Sequence, residues 1–381
     1  MNNIKMVCPC LFGLESVLTR ELKYIDAQNI KATDGKVFFE GSFETLIDAN
    51  INLRTAERVL IVMNEFKATS FEELYQGVFL IDWGNFINKN DKFPVKGWTL
   101  NSVLKSEPAC QSIIKKAVVE KLKKTYKTSW FEETGALYQI QFSIQKDNVL
   151  IMLDTSGAGL HKRGYRKSTV LAPIKETLAA GIVSLSRVNS KSSVCDPCCG
   201  SGTLLIESAL WALKIAPGLN RRFVAEDWNA MSDSDWNLGR QRAISKINKD
   251  SSFMAFGSDI DPEAIEIAKI NAKRAGISSR INFQTKSIQD LEFLDFKNSQ
   301  DFEKSNFIVL TNPPYGERLL EVNQAREIYK LLGQKFLNNN LNNNLYVISP
   351  DEDFEKILGS RATKRRKLYN GMIKCQLYMY F

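Results

Sequence analysis

No apolar run in this 381-residue chain reaches the roughly 18 residues that a membrane-crossing helix needs. The first residues, MNNIKMVCPCLFGLESV, have too short an apolar core and no small-residue cleavage site for a secretory leader. Membrane and secreted classes are set aside, and a cytoplasmic location is expected. Cysteine occurs seven times, an odd number in a long chain, which suits reduced thiols rather than a disulfide framework. Internal repeats are absent, so a repeat array is excluded. Two nucleotide signatures are missing as well. The glycines of VCDPCCGSGT, Val194 to Thr203, are not followed by Lys-Ser/Thr, so this is no triphosphate P-loop. Leu205 stands where a dinucleotide fingerprint wants its third Gly, which disfavours NAD.

The net charge is +8, and it is uneven. Residues 1–160 hold 19 Lys+Arg against 19 Asp+Glu, so the whole excess lies beyond residue 160. Three basic clusters stand out: Lys115, Lys116, Lys121, Lys123, Lys124 and Lys127; then HKRGYRK, with Lys162, Arg163, Arg166 and Lys167; then KRRK, Lys364 to Lys367. A polyanion suits them, because each phosphate neutralised releases counterions. A solvated Lys-rich face explains any one of them; three, one with Tyr165 interleaved, favour nucleic acid. The candidates for binding RNA are Lys115, Lys121, Lys123, Lys124, Lys162, Arg163 and Arg166.

Residues 1–60 read as a small α+β unit and residues 61–155 as a second. In the first, Ser42 is a plausible helix cap, but Thr45 occupies the position where a capping box has Glu or Gln. In the second, Ile113, Ile114, Ala117, Val118 and Leu122 form the buried stripe of a helix whose lysines fall on other faces. From residue 156 a Gly- and Arg-rich connector leads into strand–helix alternation, the pattern of a parallel, doubly wound α/β sheet. The stretch from Leu213 to Ser251 interrupts that alternation. It reads as a surface excursion, a wall of the active site or a surface that meets RNA.

Three segments carry chemistry. In VCDPCCGSGT a strand ends at Asp196, and Gly200 and Gly202 let backbone N–H groups approach a ligand at a helix N-terminus. Cys195, Cys198 and Cys199 are half of a zinc pattern, but Cys8, Cys10, Cys110, His161 and Cys375 offer no matching second half, so no metal is expected. In FGSDIDPEAI, Asp259 ends the next strand, where a carboxylate can accept both hydroxyls of a ribose, while Asp261 is better placed as a helix cap before Pro262. In FIVLTNPPYGERL the strand stops hard at Asn312-Pro313-Pro314-Tyr315, since Pro donates nothing to a ladder and restricts its predecessor.

The order DPCCGSGT, GSDIDP, TNPPYG resembles the S-adenosylmethionine-dependent amino-methyltransferases. With GLHKRGYR and APIKETLAA added, the chain is similar over its whole length to bacterial THUMP-domain RNA methyltransferases, in particular those that methylate N2 of guanine in large-subunit ribosomal RNA. The resemblance implies a ferredoxin-like segment over 1–60, a THUMP RNA-binding domain over 61–155 and one Rossmann-like catalytic domain over 156–381. It implies S-adenosylmethionine as cofactor, held by Asp196, Cys198, Gly200, Ser201, Gly202, Thr203, Asp259, Ile260, Ser287 and Ile288. Pro173, Lys175, Glu176 and Thr177 would lie near its methionine end. Asn312, Pro313, Pro314 and Tyr315 would be catalytic. The carbonyls of Asn312 and Pro313 would accept the target amine, and the Tyr315 ring would stack on an extruded base. One departure is Ser287, where many relatives carry an Asp for the adenine amine.

Two other functions fit parts of the pattern. DNA adenine-N6 methyltransferases share the Asn-Pro-Pro-Tyr element, and a non-catalytic protein could keep the cofactor fold. No obligate protein partner is inferred. Cofactor binding is expected to need only residues 160–381, and RNA selection to need residues 1–155.

Overall fold

The computed structural model describes residues 3–166, 174–292, 306–316, 322–337 and 344–381. Its N-terminal half contains β1 (Ile4–Pro9), α1 (Glu15–Lys23), β2 (Gln28–Thr33), β3 (Lys36–Gly41), α2 (Phe43–Asn52), β4 (Leu60–Lys67), α3 (Phe71–Phe79), β5 (Val95–Leu100), α4 (Glu107–Tyr126), β6 (Ile140–Gln145) and β7 (Asn148–Asp154). The two units read from sequence share one seven-stranded sheet, in the order β2-β3-β1-β4-β7-β6-β5. β4 joins them. Its first residues pair with β1 (Val7 opposite Leu60) and its whole length with β7 (Leu60 opposite Asp154 to Lys67 opposite Asn148). All four helices contribute to one core with Met6, Phe39, Ile61, Phe142 and Ile151, so they cover the same face of the sheet. β2 has no alternating apolar pattern because it is an exposed edge strand. Ser42 does cap α2, and the box is reciprocal after all. The Thr45 hydroxyl accepts from Ser42 N at 3.3 Å, as a Glu carboxylate would.

The C-terminal half comprises α5 (Glu176–Leu185), β8 (Ser192–Asp196), α6 (Thr203–Ala212), α7 (Asp233–Ser245), β9 (Met254–Asp259), α8 (Pro262–Arg274), β10 (Ile281–Thr285), β11 (Asn306–Thr311), α9 (Val322–Phe336), β12 (Asn344–Ser349), α10 (Phe354–Leu358), β13 (Lys364–Asn370) and β14 (Ile373–Tyr380). Its sheet runs β10-β9-β8-β11-β12-β14-β13. The first five strands are parallel, and β14 is antiparallel to both neighbours. β8 and β12 are buried along their whole length, as parallel strands covered on both faces must be. KRRK opens β13, the sheet edge, where charged side chains oppose edge-to-edge pairing. Strand order reverses between β8 and β11, which opens a crevice at their carboxyl ends.

The insertion between Leu213 and Ser251 is not a surface excursion. Phe223, Ala225, Trp228, Met231, Trp236 and Ala243 join the core of the N-terminal half. Trp228 stacks on Tyr138 with ring centres 4.5 Å apart, and its indole N–H donates to the Leu137 carbonyl at 2.9 Å. α7 lies against α2 so closely that a Cβ at Gly239 would meet Ile47 at 2.5 Å. Arg242 then pairs with Glu44 and Asp48. From the other side, Arg54 Nη2 donates to the carbonyls of Leu210, in the last turn of α6, and Ile215, just beyond it. The two halves are welded through apolar surface, so cofactor binding by residues 160–381 alone is not what this packing supports.

Candidate active site

The crevice is built from the ends of β8, β9 and β11. Asp196 ends β8 with 1% of its surface exposed. Its Oδ1 accepts from Thr311 Oγ1 at 2.6 Å and from Cys198 N at 3.1 Å, which ties β8 to β11. Burial pushes its carboxyl up to about 7; the bonds from Thr311 and Cys198 oppose this, and the charge of Asp259 adds to it. Gly200 and Gly202 have φ of 50° and 78°, the left-handed region that glycine adopts at no steric cost. Gly202 is the N-cap of α6, and a Cβ there would meet the Phe283 ring at 3.0 Å.

Asp259 connects the first two motifs. Its Oδ2 accepts from Gly200 N at 2.8 Å and its Oδ1 from Asp261 N at 3.0 Å. Asp261 caps α8 by accepting from Glu263 N at 2.8 Å, with Pro262 in the first turn. Beside them Ile260 is 75% exposed, an uncovered apolar surface at a strand end. The Ser287 hydroxyl accepts from Gln289 N, and Ile288 is buried. The Ser201 and Thr203 hydroxyls lie 3.3 Å apart. Cys195, Cys198 and Cys199 stay thiols, because burial pushes each well above the usual range. Among the described residues no three His, Cys, Asp or Glu side chains converge as metal ligands.

After β11 the chain turns through Asn312-Pro313-Pro314-Tyr315. The Tyr315 hydroxyl donates to Asn312 Oδ1 at 2.6 Å and accepts from Asn370 Nδ2 at 3.2 Å. Burial pushes this phenol well above its usual range, so it keeps its proton. The Tyr329 hydroxyl donates to the Pro314 carbonyl at 3.2 Å. Gly316, at φ 88°, closes the turn, where a Cβ would meet Val322 Cα at 2.8 Å.

The side chains of several sequence candidates are taken up by other partners. Lys175 Nζ and Thr177 Oγ1 bond the carboxylate of Glu57, at 3.2 and 2.6 Å, so both side chains serve the junction with the N-terminal half rather than face the glycine loop. Burial alone would raise the Glu57 carboxyl, but His161, Thr177 and Lys175 outweigh it and hold it at about 2. Glu176 is buried with Arg166 Nε 3.7 Å from its carboxylate. Pro173 and Lys167 lie outside the described residues.

The RNA candidates divide in the same way. Arg163 is 5% exposed and bonds the carbonyls of Leu160 and Arg54, with Glu207 beside it, so it cannot reach a phosphate. Arg166 is held by Thr203 Oγ1 at 2.6 Å and the Ile174 carbonyl at 2.9 Å, which makes it a strut of the glycine loop. Lys115 is half-buried over the Phe93 ring and paired with Glu133. Lys121 pairs with Asp82 and Lys123 with Glu120. Lys124 and Lys162 are exposed, as are Lys116 and Lys127. Glu57, Thr311 and Asn370 had no sequence signal of a site role. The Asn370-Gly371 dipeptide marks a hairpin turn, but not what that turn approaches.

Comparison with known proteins matches this architecture. The profile of the RlmL ferredoxin-like domain covers residues 5–60, that of the THUMP domain 68–154, and that of the RMKL-like methyltransferase domain 163–379. YpsC of Bacillus subtilis, named for a proposed RNA methyltransferase activity, is 42% identical over 384 residues, covering 100% of this chain and 97% of that one. The structure of SMU.472, described as a methyltransferase complexed with S-adenosylhomocysteine, aligns with a TM-score of 0.92 at 36% identity over 100% of this chain and 98% of that one. A Listeria monocytogenes protein described as a predicted N6-adenine-specific DNA methylase aligns with a TM-score of 0.91 at 40% identity, over 100% and 97% of the two chains. The chain belongs to the RMKL-like family of S-adenosylmethionine-dependent methyltransferases, in the form with an RlmL-type ferredoxin-like segment and a THUMP domain ahead of the catalytic domain.

Proposed function

We propose that this methyltransferase acts on RNA, at the exocyclic N2 of a guanine in large-subunit ribosomal RNA, in the cytoplasm. Residues 1–60 would serve as the ferredoxin-like segment, 61–155 as the THUMP RNA-binding domain and 156–381 as the catalytic domain. The observation that carries the reading is the Asn312–Tyr315 turn beside the Asp196–Gly202 loop at the sheet's reversal point. The residues suit the cofactor. Asp259 offers a carboxylate to ribose hydroxyls, Ile260 an exposed apolar surface for an adenine face, and the Gly200–Gly202 turn a close backbone approach.

S-adenosylmethionine supplies an electrophilic methyl group on its sulfonium. A guanine amine is a poor nucleophile, because its lone pair is conjugated with the ring. Asn312 Oδ1 keeps one lone pair beyond the bond from Tyr315, and the Pro313 carbonyl accepts no hydrogen bond from the described residues. Two N–H bonds to these oxygens would turn the lone pair out of the ring plane and favour a tetrahedral nitrogen. Positioning supplies the rate, with no strong base required.

The test is methyl transfer from labelled cofactor to total ribosomal RNA, to transfer RNA and to DNA, with the modified nucleoside identified by mass. N2-methylguanine in the 23S fraction is the expected product. The Listeria relative favours a second reading, DNA adenine-N6 methylation. N6-methyladenine in DNA would replace the proposal with that one, and cofactor binding without transfer to any substrate would leave a binding protein.

A further inference from the structure

Asn312 can serve an amine only if its amide is held the right way round. With the oxygen toward the substrate it accepts an N–H; flipped, its own NH2 would oppose the amine, donor against donor. Nothing in the Asn-Pro-Pro-Tyr segment alone prevents the flip except the Tyr315 hydroxyl, which donates to Oδ1 at 2.6 Å. A phenol has one proton and rotates freely, so that bond depends on what else surrounds its oxygen. The second strong partner is Asn370 Nδ2, 3.2 Å away. An amide nitrogen only donates, so the phenol oxygen must accept there, and its proton is left for Asn312. The Cys375 thiol lies 3.7 Å from the same oxygen and 3.6 Å from the Ile373 carbonyl, which competes for its one proton, so Asn370 is the donor that decides the sense of the bond. Accepting one hydrogen bond strengthens the bond that the phenol donates.

We infer that Asn370, on the C-terminal hairpin and 55 residues from Tyr315, is a positioning residue for amine recognition. It fixes the phenol proton toward Asn312 and thereby keeps the Asn312 oxygen facing the substrate. The inference rests on Asn312 being the amine acceptor. It adds that the end of β13 supports the target-base pocket, with Asn370 acting through the Tyr315 phenol.

The test uses the full chain and the nucleic acid that the wild type methylates. Asn370→Ala should lower kcat about tenfold, the worth of one hydrogen bond to a well-placed group, with KM for both substrates within about twofold. Asn370→Asp should be worse than Ala, because a carboxylate draws the phenol proton away from Asn312. In a Tyr315→Phe background, Asn370→Ala should change kcat less than about twofold, since its route of action is already gone. Wild-type kcat in both Asn370 variants, or equal losses in the two backgrounds, would overturn the inference. So would a fall in cofactor affinity by calorimetry, which would mean a merely structural role. A second readout needs no turnover. The tyrosine Fermi doublet in the Raman difference between wild type and Tyr315→Phe should change its donor character in Asn370→Asp. If the wild type methylates nothing, the proposed function fails while this spectrum still decides the hydrogen-bond assignment; an unchanged doublet refutes it.

Discussion

Replacing Trp228 by Ala tests whether the insertion is a weld between the halves. The indole is 2% exposed, is stacked on Tyr138 at an interplanar angle of 14°, and donates to the Leu137 carbonyl. Truncating a buried Trp costs about 3–5 kcal/mol. Without the indole N–H, the Leu137 carbonyl must find water, so the upper half of that range is expected. Against a usual net stability of about 5–15 kcal/mol, one substitution would remove a large share. Urea unfolding followed by circular dichroism gives the loss from the shift in midpoint. Tyr138→Ala combined with Trp228→Ala should show a coupling of about 1 kcal/mol, the worth of an aromatic pair beyond its area. The wild type should unfold in one transition, because the halves share a core. A fragment of residues 160–381 should fail to accumulate as a folded protein. A loss under about 1 kcal/mol, or a soluble fragment that binds S-adenosylmethionine, would refute the weld.

Other outcomes follow from single groups. Asp196 has a folded pKa of about 7, above its ordinary value near 4, so its contribution to stability is complete below about pH 4 and is lost as pH rises to about 7. Asn can retain both bonds to Oδ1, so Asp196→Asn should be near neutral at pH 4.5 and stabilising by roughly 2–4 kcal/mol at pH 8; a gain independent of pH in thermal melts would contradict this. Asn312→Ala should lower turnover on the order of 100-fold with cofactor affinity intact by calorimetry, and a change of only a few-fold would remove its amine-orienting role. Lys116, Lys124 and Lys127 are the exposed lysines on or beside α4, so replacing all three by Ala should flatten the salt dependence of RNA binding, by roughly 0.7–0.9 in slope for each phosphate no longer neutralised. Lys121 and Lys123, already paired with acids, should contribute less to that slope.

The catalytic half was legible in the sequence because its signals are local. A strand ending in Asp196, a glycine turn, a strand ending in Asp259 and a strand stopped by Pro313 and Pro314 each follow from the residues in a single segment. Their order fixes a parallel sheet whose carboxyl ends meet at one crevice, and the structure brings Asp196, Asp259 and Asn312 to those ends. The basic clusters were legible only as charge. Whether an Arg meets solvent or a buried carbonyl depends on what packs above it, so Arg163 and Lys124 look alike in sequence and behave oppositely.

The pairing that joins the two N-terminal units, and the packing that joins them to the methyltransferase half, were not legible. β4 reads as one apolar strand, and nothing within it says that it pairs with β1 on one edge and β7 on the other. The aromatic residues of the insertion look like any buried set, yet the core they join belongs to a sheet that ends at Asp154, far earlier in the chain. Asn370 is an ordinary turn residue until the hairpin is laid beside β12 and carries it to Tyr315. Sequence patterns specify each segment's conformation and which face it buries. Which surfaces then meet is decided by the summed burial of all of them, and that quantity exists only in the folded chain.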